Sequence, residues 1–232
     1  MISLRGTWLS AAAAAAMLVS GCAPALGLDK AAPAVIGIRP ATVVVNFTAD
    51  SITPATVEGD AGVAGRRVTI DDPARVASIS KLVVAIAVMR LVEQDKLGLD
   101  RDISDYLGWK VRNPAFPDVP ITLRALLSHQ SGLRDAVDYI VPLDGSLEAV
   151  LVDPQAWDAG HAPGTYFSYA NINSPLIAAV MESATQERFD RLMARLVLTP
   201  LELDACYNWG AGCSDGRRAQ AVTLLRPNGD LA

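Results

Sequence analysis

Apolar residues fall into separated runs along this chain, and the runs differ in length and residue type. The first, Trp8 to Leu18, is continuous but too short to cross a bilayer as a helix. Thr42 to Phe47 and Thr56 to Val63 are rich in β-branched and apolar residues, with Thr53-Pro54 between them as a turn signal. They predict two strands joined as a hairpin, and Val68 to Ile70 a short third strand. A long apolar stretch then runs from Ser78 to Leu97, with Gly98 placed to end it. Apolarity on every face predicts a buried central helix.

Past Asp100 the pattern breaks into short segments punctuated by Pro114, Pro117, Pro120, Pro154, Pro163, Pro175 and Pro200. Thr122 is placed to cap a helix ending at Leu127. Pro175 opens a second helix reaching about Ala184, and a third is expected from Glu187 to Leu198. A hairpin, a buried helix and a mostly helical remainder fit an α+β class better than an alternating βαβ plan.

The first run carries only Arg5 ahead of it and is followed by Val19-Ser20-Gly21-Cys22. That tetrapeptide resembles the lipobox of bacterial lipoproteins, which implies a signal peptide over 1–21, acylation of Cys22, and export to a bacterial membrane facing the periplasm. The alternative is an ordinary signal peptide that contains a cysteine. Residues 22–40 are rich in Ala and Pro and read as a tether, so the folded body is expected over 41–232.

With Cys22 set aside, Cys206 and Cys213 remain, close in sequence. In an oxidising compartment they are expected to pair; two reduced, buried thiols are the alternative. The net charge of −5, made more negative by losing the only charge before Gly21, argues against a nucleic-acid partner. Only two histidines are present, and no Cys/His metal spacing or Gly-rich phosphate loop occurs, so no metal and no organic cofactor is expected.

Ser78-Ile79-Ser80-Lys81 stands where strand-like sequence passes into the apolar helix, and positions three apart share a helix face. In the first turn the Ser78 N–H is free to meet an oxyanion, and Lys81, one turn on, is placed to act as a base. Ordinary composition gives about one such spacing by chance in a chain of this length. A capping serine followed by a snorkelling lysine is therefore the bland alternative. Tyr169-Ala170-Asn171, ahead of a predicted helix, adds a phenol able to relay a proton and an amide able to orient a substrate.

Taken together, the two motifs resemble the serine β-lactamase and penicillin-binding family, most closely its class C-like, esterase and D-alanyl-D-alanine peptidase members. The blocks Arg75 to Lys81, Leu126 to Leu133 and Pro163 to Asn171 share that resemblance, which covers roughly Thr42 to Leu203. It implies a β-lactamase/transpeptidase-like fold and an acyl-enzyme hydrolase acting on a β-lactam, a D-alanyl peptide or an ester. Ser78 would be the nucleophile, Lys81 and Tyr169 would handle protons, and Asn171 would bind substrate. The expected partners are a small-molecule or peptidoglycan-like substrate and a membrane through the lipid. His129 is tempting as a base, but its block is architectural in the family, and Asp71, Asp72 and Arg75 read as solvated or capping charges.

The family also carries a K-T-G or H-x-G tripeptide on a later strand, and none occurs between Tyr169 and Ala232. Lys96-Leu97-Gly98 is in the wrong place, and Asn208-Trp209-Gly210 lacks the residue type. The expectation is a truncated product with an incomplete sheet and weak or absent activity. A short variant that borrows its missing strand, or a lipoprotein that only binds, is the other reading.

Overall fold

A computed structural model describes residues 38–62, 65–142 and 145–226; the expected signal peptide, Cys22 and most of the tether lie outside them. The chain opens with strands β1 (Thr42–Phe47) and β2 (Ile52–Glu58), paired antiparallel as a two-stranded sheet. The turn falls at Thr48–Ser51, earlier than the Thr53-Pro54 signal, because the Thr48 hydroxyl accepts the N–H groups of Asp50 and Ser51. Pro54 instead lies inside β2 opposite Val45, beside a register shift, a position where strands accommodate proline. The expected third strand is reduced to one bridge, Asp60 to Arg67, with Val68 buried after it.

Ser78 does not begin a single long helix. A 3-10 turn covers Ala77–Ile79, and α1 runs over Ser80–Glu93. It stops before Gly98 because Asp95 takes the left-handed conformation, with its N–H on the Val92 carbonyl and that of Lys96 on the Leu91 carbonyl. Nor is the helix buried all round. Ala87, Val88 and Leu91 are fully buried, whereas Leu82 is 66% and Met89 43% exposed.

The helical remainder comprises α2 (Ser104–Leu107), α3 (Leu123–Leu127), α4 (Leu147–Leu151), α5 (Asn173–Thr185), α6 (Phe189–Met193) and α7 (Asp215–Gln220). Thr122 caps α3 as expected, its hydroxyl accepting the Ala125 N–H. Helix α5 begins at Asn173, two residues ahead of Pro175, and α6 passes into a π-helical turn over Ala194–Leu198. Leu126 of α3, Leu176 and Met181 of α5, and Leu192 and Leu196 of the last pair join α1 in one core. Burial of that core, at about 25 cal/mol per Å2 of apolar surface, is what holds α1 beside the loops that follow α3 and precede α5.

The C-terminal segment ties down the stretch before Ser78. Arg66 bonds Asp72 and the Gln220 carbonyl, and the Val222 N–H reaches the Pro73 carbonyl. Cys206 and Cys213 form the expected disulfide. Beside it, the Tyr207 hydroxyl donates to the Ser80 carbonyl at the start of α1.

Candidate active site

Ser78 sits in the 3-10 turn immediately after Ala77, whose φ of 45° is unusual for a residue with a Cβ. One helical turn on, the Lys81 Nζ donates to the Ser78 Oγ at 3.0 Å and to the Asn171 Oδ1 at 3.0 Å. From the segment before α5 the Tyr169 hydroxyl lies 2.8 Å from the Ser78 Oγ and 3.4 Å from the Asn171 Oδ1. The four residues singled out from the sequence therefore meet in one hydrogen-bonded cluster, although Ser78 and Tyr169 are 91 positions apart. Ser78 and Tyr169 are exposed; Lys81 and Asn171 are half-buried.

The electrostatics favour ionisation at Tyr169. The hydrogen-bonding Lys81 side chain first, and Ser78 next, hold its phenol below the ordinary tyrosine value. The negative charge of Asp135 works in the opposite sense but less strongly.

Asn171 is itself gripped. Asp135 accepts its backbone N–H at 2.8 Å, its side-chain amide at 2.9 Å and the Ile172 N–H at 3.0 Å. Sequence reasoning passed over Asp135; the available signal was a carboxylate two residues past the Leu126 to Leu133 block. The amide has two N–H groups, so one is left over for a substrate.

His129 is part of the site's frame. Its Nδ1 accepts the Ala170 N–H at 3.2 Å, and its ring stacks on Tyr169 with centroids 4.4 Å apart. Burial first, and the charge of Lys81 second, press the imidazole below the ordinary histidine value. Beneath it lies a buried polar pair that the sequence did not disclose: the Ser131 hydroxyl donates to the Asn173 Oδ1 at 2.7 Å, both residues being 1% exposed. Gly132 closes this loop at φ 77°, where a Cβ would also come 3.3 Å from the Asn113 amide. Asp72 forms an ion pair with Arg66, and the Asp71 carbonyl accepts from Arg217, so both acids belong to the scaffold.

A cleft of about 510 Å3 opens behind Lys81, between α1 and the α3–α5 pair, lined by Val84, Ala85, Leu127, Ile177 and Phe189 among others. Among the described residues no group of three or more His, Cys, Asp or Glu side chains is placed to hold a metal.

Fold and cluster together place the chain in the β-lactamase and penicillin-binding-like class, with a serine in contact with lysine and tyrosine. The family model described as Beta-lactamase matches residues 47–231, and the chain belongs to that family. Among curated relatives, the esterase EstB of Burkholderia gladioli is 29% identical over 162 residues, 62% of this chain and 40% of EstB. Protein flp of Staphylococcus aureus strain N315 is 24% identical over 131 residues, 55% of this chain and 26% of flp. Among solved structures, EstCE1, a hydrolase with promiscuous acyltransferase activity, superposes with a TM-score of 0.58 at 25% identity, covering 76% of this chain and 50% of EstCE1. The chain thus spans no more than half the length of any of these three.

Proposed function

We propose that this chain is an acyl-transferring serine hydrolase in which Ser78 is the nucleophile. The observation that carries the reading is the contact of the Ser78 Oγ with both the Tyr169 hydroxyl and the Lys81 Nζ. A positive charge on Lys81 favours the phenolate of Tyr169, which then takes the Ser78 proton as the Oγ attacks a carbonyl carbon. The phenol passes that proton to the leaving group, giving an acyl ester on Ser78. Water, deprotonated by the same phenolate, releases the acid and restores the serine. Asn171 holds Lys81 through its Oδ1 and offers its remaining N–H to a substrate carbonyl.

The lysine, read from the sequence as the base, becomes the group that sets the charge of Tyr169. Its two donated hydrogen bonds, to Ser78 and Asn171, support this division of labour. The substrate proposed for first trial is a simple ester, supported by the relative named as an esterase; β-lactams and D-alanyl peptides share the nucleophile and are tested beside it. Attachment to a membrane through a lipid on Cys22 is proposed from the Val19 to Cys22 motif.

The test treats the 232-residue chain and its Ser78→Ala variant with a fluorescent penicillin and a p-nitrophenyl ester, and locates any adduct by mass spectrometry. An adduct on Ser78, absent from the variant, is the expected result. A folded protein that neither probe labels would sink the proposal and leave a binding role in its place.

A further inference from the structure

The hydrogen bonds around His129 leave its Nδ1 no capacity to serve Ser78. That nitrogen accepts the Ala170 N–H at 3.2 Å and faces the Asn173 Nδ2 at 3.0 Å. The Asn173 amide is oriented independently, because its Oδ1 accepts from Ser131 while its Nδ2 also donates to the Ala170 carbonyl at 3.2 Å. Two donors therefore point at Nδ1, which must be unprotonated, and a neutral ring carries its proton on Nε2. The same residue accepts the Ser168 N–H on its backbone carbonyl at 2.8 Å and presents its ring face to Tyr169 at an interplanar angle of 30°. So one residue touches three consecutive positions, Ser168, Tyr169 and Ala170, the middle one bearing the phenol that meets Ser78.

We propose that His129 is a positioning residue: its Nδ1 lone pair and ring face seat the Tyr169 ring so that the phenol reaches Ser78, while His129 itself touches no substrate. The role rests on the acyl-transfer reading of Ser78. It also accounts for two costs the chain bears nearby. His129 has φ 55°, a conformation uncommon for a residue with a Cβ, and Ser131 with Asn173 forms a polar pair inside an apolar core. Both features aim the imidazole at the segment before α5.

Three variants separate the parts of the role. His129→Ala removes acceptor and ring; His129→Phe keeps a ring and loses the acceptor; His129→Asn supplies an oxygen near the place of Nδ1 and tolerates the positive φ. With p-nitrophenyl acetate, His129→Ala is expected to lower kcat about 100-fold with KM within about threefold, the cost of a misplaced catalytic group. His129→Asn is expected to recover most of that loss. Independently of turnover, ultraviolet titration with Tyr169→Phe as reference should show the Tyr169 phenol rising toward its ordinary value in His129→Ala and staying low in His129→Asn.

An unchanged kcat and unchanged Tyr169 titration in His129→Ala would overturn the proposal. So would a kcat loss that His129→Asn does not recover while Tyr169 titrates as before, since that pattern marks a direct proton carrier. If His129→Ala does not fold, the Asn and Phe variants decide the same question. Should the wild-type chain show no Ser78-dependent turnover, the hydrolase reading fails, and the Tyr169 titration alone still decides whether His129 positions the phenol.

Discussion

Asp135 holds Asn171 by backbone and side chain at once: a single carboxylate oxygen accepts the Asn171 N–H at 2.8 Å and its amide at 2.9 Å. Because the Asn171 Oδ1 in turn accepts from Lys81, the carboxylate fixes the far end of the chain of contacts that reaches Ser78. Replacing Asp135 by Ala frees the amide to rotate. The rate of Ser78 acylation by a p-nitrophenyl ester should then fall roughly 10- to 100-fold, the scale of a slightly misplaced catalytic group. A stopped-flow trace unchanged from wild type would remove Asp135 from the site.

Tyr169 dictates the pH profile. In the proposed mechanism the phenolate is the working form, and Lys81 first, then Ser78, hold its pKa below the ordinary 10.0. Activity is therefore expected to rise with pH along a limb centred below that value and then level off. Lys81→Met removes the larger cause, so ultraviolet titration should show the phenol moving up toward 10.0. A downward move, or none, would contradict the electrostatic account.

The buried bond from Ser131 to Asn173 predicts a stability effect separable from chemistry. Ser131→Ala leaves the Asn173 Oδ1 without its donor inside the core, a loss of about 1 to 3 kcal/mol. Urea denaturation should show a lower midpoint at unchanged slope. A midpoint equal to wild type would mean that water or another donor replaces the hydroxyl.

Reduction of the Cys206–Cys213 disulfide opens a loop of sequence separation 7. The chain-entropy estimate for so short a loop is about 2 to 3 kcal/mol, so the reduced chain should stay folded at room temperature but melt earlier. Tyr207, inside that loop, donates to the Ser80 carbonyl, and burial pushes its phenol up to about 12. Calorimetry with and without reductant checks the loss; a cooperative fold that disappears on reduction would give the clip a larger part than this.

Much of the site was legible in the chain, because its parts are local. The Ser78–Lys81 spacing implies one helix face whatever surrounds it, Thr122 announces the start of α3, and the two cysteines meet across a short loop. The errors were also local. Thr48 outcompeted Thr53-Pro54 for the hairpin turn by accepting two backbone N–H groups, and Asp95 outcompeted Gly98 as the helix stop by adopting a left-handed conformation. In each case a side chain or backbone state with no strong signature took the place of the usual residue.

The supporting shell was not legible. Asp135 reaches Asn171 across 36 positions, Ser131 reaches Asn173 across 42, and the His129 side chain meets the Asn173 amide across 44. Such contacts depend on how α3 and α5 pack, and packing answers to the volume and burial of Leu126, Leu176 and their neighbours more than to any motif. By itself the sequence determined which atoms were available for chemistry, since helix periodicity and residue type are properties of short segments. Only the tertiary structure decided that Tyr169 would stand 2.8 Å from Ser78, and that the His129 ring would stack on that tyrosine. Those placements come from burying a shared core, and no short segment contains that information.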